Sequence, residues 1–286
     1  MSRAATAAAG LLGDTSERDY SRKLQRFNAF AEPELRRAIA SLGIPRLGVQ
    51  AGAHLLDAGC GTGEALGWLS EAGGENAQVT GVDLSTAHVA AARLRVPRNA
   101  VVLQGDLLDR PVAAASQDLV WCANTINHLH DPVGGIRALV ALLRPGGHIA
   151  IGQSSLLPDM YFAWDSRLER LTNEAVRQYY RERYGLSEHS LSGVRGLVGW
   201  LKRADLRGVT VATFLIERTF PLSVADQDYL RETIFRDTWG ERLRPYLSKA
   251  DYSELSALCD PGRPEFALLR PDFHFMQTFT LAVGQV

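Results

Sequence analysis

Short apolar runs alternate with helix-length amphipathic segments from residue 53 to residue 153. Short apolar runs predict buried strands, and apolar residues recurring every three or four positions predict helices. Strands are predicted at His54–Ala58, Gln78–Asp83, Ala100–Gln104, Gln117–Cys122 and His148–Gln153. Helices are predicted at Thr62–Ala72, Thr86–Leu94 and Pro132–Leu143, and a turn at Pro145-Gly146-Gly147. This alternation is typical of a parallel sheet covered by helices on both faces.

An amphipathic helix is predicted ahead of this core, from Ser16 to Leu42. Its apolar residues, among them Tyr20, recur at helical spacing with Arg and Glu between them. Pro33 interrupts the pattern and predicts a kink or break near Ala31. The Ala- and Gly-rich opening, residues 1–15, is expected to be a flexible tail.

Two helical segments rich in aromatic residues follow the core, at 154–204 and 221–270. A strand pattern lies between them at Val209–Arg218, and another closes the chain at Phe275–Val283. An insertion of about 50 residues between two final strands usually builds a lid or a dimer contact. The sequence therefore predicts an α/β fold with a Rossmann-like, seven-stranded, mostly parallel sheet. An N-terminal helical cap (16–50), a ligand-binding core (51–153) and a remainder carrying a helical substrate lid (154–286) complete the expected organisation.

Composition and charge narrow the class of protein. A chain of 286 residues suits one large α/β domain, and 46% hydrophobic with 22% charged residues is ordinary for a soluble protein. The net charge of −1, with scattered Lys and Arg, argues against nucleic-acid binding. The three cysteines are widely spaced, so neither a metal site nor a disulfide framework is expected. No apolar run is long enough to cross a membrane, and a cytoplasmic location is expected.

A glycine-rich loop joins the first predicted strand to the first helix of the core. Its sequence, from Asp57 to Gly63, is Asp-Ala-Gly-Cys-Gly-Thr-Gly. Glycines let the backbone turn sharply and approach a ligand, and the helix N-terminus beyond favours an anionic group. A dinucleotide loop has the spacing G-x-G-x-x-G, and its last glycine would fall at Glu64 or Leu66 here. Neither register fits, and an acidic residue stands before the glycines.

This loop resembles the first motif of the class I S-adenosylmethionine-dependent methyltransferases. Further similarities follow in the family's order: an acidic residue after the second strand, Gln-Gly-Asp-Leu after the third, Asn124 after the fourth, and Leu-Arg-Pro-Gly-Gly before the fifth. The resemblance implies that Asp83 accepts both ribose hydroxyls, that Asp106 lies beside the adenine, and that the fourth strand end lines the methionine moiety. The cofactor-binding residues that it implies are Asp57, Gly59, Cys60, Gly61, Gly63, Asp83, Leu84, Gly105, Asp106, Leu107 and Asn124. Read singly, Asp83 and Asp106 are also ordinary helix-capping residues.

Two residues are candidates for catalysis. His128 lies in the run Asn-Thr-Ile-Asn-His-Leu-His-Asp-Pro, which many family members resemble, and a neutral imidazole there can accept a proton. The alternative is that His128 only shapes the pocket. Tyr20 is the second candidate, because related small-molecule methyltransferases close a tyrosine of an N-terminal helix over the cofactor. Its place on the apolar face equally suits packing.

The binding site of the methyl acceptor is expected in the two segments rich in aromatic residues. Aromatic rings bind aromatic or cationic molecules by stacking and cation–π attraction. The candidate substrate-binding residues are Asn127, Tyr161, Trp164, Tyr179, Tyr180 and Tyr184. The alternative is that these rings form the lid's own small core.

The sequence is therefore interpreted as a bacterial small-molecule methyltransferase. It is expected to transfer a methyl group from S-adenosylmethionine to N, O or C of a natural-product-like acceptor, such as an indole or amine, leaving S-adenosylhomocysteine. No metal, nucleic acid or membrane is expected, and a homodimer through the N-terminal helix or lid is a hypothesis. Three alternatives stay open: another reaction with the same cofactor, such as cyclisation; a nicotinamide oxidoreductase; and a non-catalytic partner subunit.

Overall fold

All the strands that the structure describes belong to one sheet. The computed structural model describes residues 18–44, 52–155, 161–162, 165–185 and 193–286. The strands are β1 (His54–Ala58), β2 (Gln78–Asp83), β3 (Ala100–Gln104), β4 (Gln117–Ala123), β5 (Leu143–Ser154), β6 (Tyr161–Phe162), β7 (Arg207–Thr219) and β8 (His274–Gln285). Across the sheet they run β3-β2-β1-β4-β5-β8, with β6 and β7 both paired to β8.

The sheet is parallel from β3 to β5 and antiparallel beyond it. β8 pairs antiparallel with β5 on one side and with β7 on the other. The predicted seven-stranded, mostly parallel, Rossmann-like sheet of an α/β protein is confirmed by the seven long strands. The two-residue β6 is an addition that the sequence pattern did not predict, because two residues carry no periodicity.

Helices cover this sheet on both faces. They are α1 (Arg18–Ser41), α2 (Glu64–Gly73), α3 (Thr86–Arg93), α4 (Pro132–Val140), α5 (Ser166–Tyr184), α6 (Leu197–Arg203), α7 (Val224–Asp228) and α8 (Lys249–Cys259). A π-helix at Tyr229–Thr238 continues α7, and short 3₁₀ turns lie at Leu107–Asp109, Ile126–His128, Gly193–Gly196, Glu241–Tyr246 and Ala267–Leu269. Among the described residues, no helix is both long and apolar enough to cross a membrane.

Helix α1 differs from its prediction at Pro33. The helix runs unbroken through this proline to Ser41, so the predicted break near Ala31 does not occur. Phe30, Ala31 and Leu35 on its apolar face are buried in the main core, and this burial offsets the hydrogen bond that the proline cannot donate. The predicted tail, residues 1–15, lies outside the described residues.

The predicted turn at Pro145-Gly146-Gly147 is wrong. Strand β5 already begins at Leu143 and passes through these residues, and its register with β4 shifts between Gln117 and Leu119. Gly146 has a left-handed φ of 82°, so the chain passes the irregularity without ending the strand.

A buried ion cluster joins helix α1 to strand β7, at the antiparallel end of the sheet. The Arg218 guanidinium of β7 donates to Glu34 of α1 at 3.0 Å and to Asp226 of α7 at 2.7 Å. It also lies over the ring of Phe30, 4.8 Å from the centroid. Glu34 and Asp226 are both buried. This cluster holds the C-terminal half of α1 in place, so that its N-terminal half lies over the strand ends.

Candidate active site

The glycine-rich loop lies where the carboxyl ends of β1, β2 and β4 meet. The backbone N–H groups of Gly59 and Cys60 donate to the Val82 carbonyl of β2 at 2.8 and 3.0 Å. Gly59, Gly61 and Gly63 have φ values of 81°, 53° and 89°, which favour glycine. This is the edge at which ligands bind in open α/β sheets.

Gly59 also stands against a neighbouring loop. A Cβ at this position would lie 2.3 Å from the Thr125 Oγ1 atom. We expect Gly59→Ala to lower the free energy of unfolding by more than about 1 kcal/mol, because left-handed strain adds to this overlap. Gly67→Ala is the matched control: no atom lies within 4 Å of its added Cβ in the middle of α2, so a gain of about 0.5–1 kcal/mol is expected. Urea unfolding measures both, and equal effects would contradict the prediction.

Asp57 is a buried carboxylate at the end of β1. Its Oδ2 atom has no hydrogen-bond partner among the described residues. Burial, and then the nearby Asp83 and Glu64, raise its pKa to about 8. An unpartnered carboxylate beside two other acids creates a site that favours a cation and disfavours the pyrophosphate of a dinucleotide.

Asp57 should make the stability of the ligand-free protein depend on pH. Because its folded pKa lies above its unfolded value, the folded state binds the proton more tightly, and stability falls as pH rises from about 4 to about 8. Asp57→Asn should remove this slope. Urea unfolding of both proteins across that pH range measures the difference. If the free energies of unfolding of the two proteins changed with pH in parallel, Asp57 would not be the source of the pH dependence.

Asp83 at the end of β2 organises the same loop. Its Oδ2 atom accepts the Gly61 N–H at 2.9 Å, and its Oδ1 atom accepts the Ser85 N–H at 2.9 Å. His88 Nδ1 lies 3.1 Å from Oδ1. Asp83 therefore fixes the glycine loop itself, and its carboxylate is held in one orientation.

The N-terminal half of α1 lies over this loop. Leu24 reaches within 3.1 Å of the position that a Cβ on Gly61 would take. Asn28 donates to Glu64, the first residue of α2, at 3.0 Å, and Thr62 of the loop donates to the same carboxylate at 2.6 Å. The helix therefore encloses the loop from the solvent side.

Tyr20 and His128 meet above the loop. The Tyr20 hydroxyl and His128 Nε2 are 3.2 Å apart, although 108 residues separate them in sequence. Burial, with smaller effects of Tyr180, Asp83 and Tyr184, raises the pKa of Tyr20. Tyr20 therefore remains a neutral phenol at physiological pH. Its ring also stacks on His88, with centroids 5.9 Å apart.

The end of β3 completes this edge of the sheet. The Gly105 N–H donates to the Asp83 carbonyl at 3.0 Å. Asp106 caps the following turn by accepting the Leu108 N–H at 2.9 Å, and Leu107 is half-buried while Leu84 is exposed. The capping role that the sequence allowed for Asp106 is thus present in the fold.

Asn124 and Asn127 differ in what their side chains contact. Asn124 has a left-handed φ of 51°, and its Oδ1 atom accepts from the Ser154 N–H at 2.8 Å and from Gln153 at 3.1 Å. Its side chain therefore joins β4 to β5. Asn127 lies beside Gly193, and its buried Oδ1 atom has no hydrogen-bond partner among the described residues.

Three of the predicted lid tyrosines lie on α5. Tyr179 and Tyr180 are in edge-to-face contact at 5.5 Å, and Tyr184 lies 5.6 Å from Tyr180. Tyr180 and Tyr184 also act electrostatically on Tyr20, which places them near the Tyr20–His128 pair. Tyr179 instead packs on Tyr246 and under the Arg242 guanidinium. The side chain of Tyr161 and the whole of Trp164 lie outside the described residues.

Some residues of this region were not singled out from the sequence. His88 lies in the first turn of α3, where side chains point back toward the helix N-terminus and hence toward Asp83. This direction could have predicted the contact between His88 and Asp83 from the sequence. Thr125 and Glu64 were missed because their partners, Gly59 and Asn28, are distant in sequence.

Residues 56–151 match the model of a methyltransferase domain. Over 117 residues the chain is 35% identical to 27-O-demethylrifamycin SV methyltransferase of Amycolatopsis mediterranei, covering 39% of this chain and 42% of that protein. Over 154 residues it is 32% identical to malonyl-[acyl-carrier protein] O-methyltransferase of Pseudescherichia vulneris, covering 52% and 59%. The chain thus spans about two to three fifths of the length of these curated relatives.

Solved structures share the fold. Phosphoethanolamine N-methyltransferase 2 of Haemonchus contortus, in complex with S-adenosyl-L-methionine, has a TM-score of 0.54 at 17% identity, covering 95% of this chain and 58% of that one. The YcgJ protein from Bacillus subtilis has a TM-score of 0.51 at 15% identity, covering 87% and 97%. At these identities the likeness concerns the fold alone.

Residues 56–151 are thus similar to the class I S-adenosylmethionine-dependent methyltransferases, and the relatives of this segment include a methyltransferase named for a small-molecule substrate. The geometry suits that cofactor. The orphaned Asp57 carboxylate suits an ammonium group, and the acidic surroundings suit a sulfonium, since both carry positive charge.

Proposed function

We propose that the protein transfers a methyl group from S-adenosylmethionine to a small natural-product-like acceptor, with an aromatic hydroxyl as the first acceptor to test. The observation that carries this proposal is the Tyr20–His128 pair, 3.2 Å apart above the glycine loop. The two relatives named above methylate oxygen according to their names. A hydroxyl acceptor loses its proton on methylation, which is the step that a base assists.

The residues have separate roles in this proposal. Asp57 and the glycine loop bind the amino-acid end of the cofactor, and Asp83 binds its ribose. Asp106 and Leu107 border the adenine, and Leu84 covers its face. When bound, the cofactor supplies an activated methyl group on a sulfonium, so alignment of the acceptor provides much of the rate.

His128 is the base of the pair. The acceptor hydroxyl replaces the Tyr20 hydroxyl at Nε2, which takes its proton as the oxygen attacks the methyl group and the methyl–sulfur bond breaks. Tyr20, kept as a phenol by its raised pKa, orients this imidazole through their edge-to-face ring contact and closes the site to water. Tyr180 and Tyr184 contact the acceptor's aromatic face, and Asn127 binds its polar substituent through Oδ1.

Removing the base should slow turnover without weakening cofactor binding. We expect His128→Asn to lower kcat by about 10²–10⁴-fold, the usual contribution of a general base, and Tyr20→Phe to lower it less. The dissociation constant for S-adenosylhomocysteine should change less than threefold in both. Label transfer from methyl-tritiated cofactor to a panel of phenols, indoles and amines, together with calorimetry, measures these quantities.

The same assay separates the alternatives. A cyclisation reaction would leave the label on the cofactor, a nicotinamide oxidoreductase would turn over NAD(P)H, and a non-catalytic subunit would not bind S-adenosylhomocysteine. A His128→Asn variant with full turnover would contradict the role of this residue as the base.

A further inference from the structure

His88 connects Asp83, whose carboxylate is proposed to bind the ribose, to helix α1, which covers the site. It lies in the first turn of α3 and is 3% exposed. Its Nδ1 atom is 3.1 Å from Asp83 Oδ1, and its ring stacks on Tyr20 of α1 with an interplanar angle of 30°. Asp83 and Tyr20 therefore contact different parts of one buried side chain.

We infer that His88 is a positioning residue that couples cofactor binding to the closure of α1, an inference that rests on the proposed function. The Nδ1–H donates to Asp83, which also accepts the Gly61 and Ser85 N–H groups, so one lone-pair position on Oδ2 is left for the ribose. The face of the His88 imidazole packs on the ring of Tyr20, whose hydroxyl lies 3.2 Å from His128 Nε2. A movement of Asp83 is therefore transmitted to α1 through the His88 ring.

Two substitutions separate these contacts. His88→Asn keeps an N–H donor near the position of Nδ1 but removes the ring that stacks on Tyr20. His88→Phe keeps a ring but removes the donor to Asp83. His130→Asn, at an exposed position just beyond the site, is the matched control.

Binding and amide protection are measured on the full-length protein with S-adenosylhomocysteine. For His88→Asn we expect affinity within about threefold of the unsubstituted protein, but loss of the ligand-induced hydrogen-exchange protection of residues 20–28. For His88→Phe we expect affinity about tenfold weaker, because a hydrogen bond to a charged group is lost, with protection kept at saturating ligand. The control should match the unsubstituted protein in both.

The outcomes distinguish this inference from the function on which it rests. If the unsubstituted protein does not bind S-adenosylhomocysteine, the proposed function and the inference both fail. If it binds, and the two variants lose affinity and protection together or lose neither, only the coupling by His88 is overturned.

Discussion

Arg218→Ala should lower the free energy of unfolding by about 3–5 kcal/mol, the largest loss of stability expected from one substitution of a charged residue in this chain. The cause is the buried ion cluster: without the guanidinium, Asp226 remains buried without its cation, and Glu34 keeps only the more exposed Arg37 at 3.2 Å. Removing one partner of a buried ion pair typically costs this much. The ring of Phe30 also loses its cation.

Urea unfolding at neutral pH measures this effect. Arg244→Ala is the matched control, because Arg244 is 68% exposed and its partner Glu241 is 80% exposed, so a change within about 0.5 kcal/mol is expected. Adding Asp226→Asn to Arg218→Ala should recover part of the loss by removing the unpaired buried charge. An Arg218→Ala protein as stable as the control variant would show that the cluster does not anchor α1.

Asp83→Ala should weaken S-adenosylhomocysteine binding by about 1.5–3 kcal/mol, roughly 10- to 150-fold in the dissociation constant. The loss has two physical parts. The ribose loses its acceptor, and the Gly61 and Ser85 N–H groups lose the carboxylate that holds the loop in its ligand-binding shape. Calorimetry measures the affinity, and Asp109→Ala, an exposed acidic residue one turn beyond β3, is the control.

The two parts can be separated by thermal unfolding. If loop order contributes, Asp83→Ala should also lower the Tm of the ligand-free protein, whereas loss of a ribose contact alone would leave that Tm unchanged. Unchanged affinity would remove Asp83 from the cofactor site altogether.

The centre of the sheet could be predicted from sequence because β1, β4 and the second half of β5 are buried on both faces. Such strands appear as continuous apolar runs, and the glycine loop marks the first strand end without reference to distant residues. The grouping of Asp57, Asp83 and Asp106 could also be predicted, because the carboxyl ends of parallel strands meet at one edge of the sheet. These features depend on local sequence alone.

The missed features depend on contacts between distant segments. Arg218 and Glu34 are 184 residues apart, and no local pattern marks either as buried. Asn124 is another example: no local pattern marks its side-chain contacts with Gln153 and Ser154 of β5. Pro33 predicted a break, yet tertiary burial of α1 outweighed local preference.

The position of β8 has a consequence for how the chain folds. It is the last strand in sequence, yet it lies inside the sheet between β5 and β7. During synthesis on the ribosome, β7 therefore has no strand to pair with until residues 274–285 have emerged. The edge of β5 that pairs with β8 stays unpaired for the same time. Sheet completion must then bring together segments of high sequence separation, which slows folding and exposes apolar edges to aggregation. Chaperone dependence of the nascent chain should consequently fall sharply once this last strand is released.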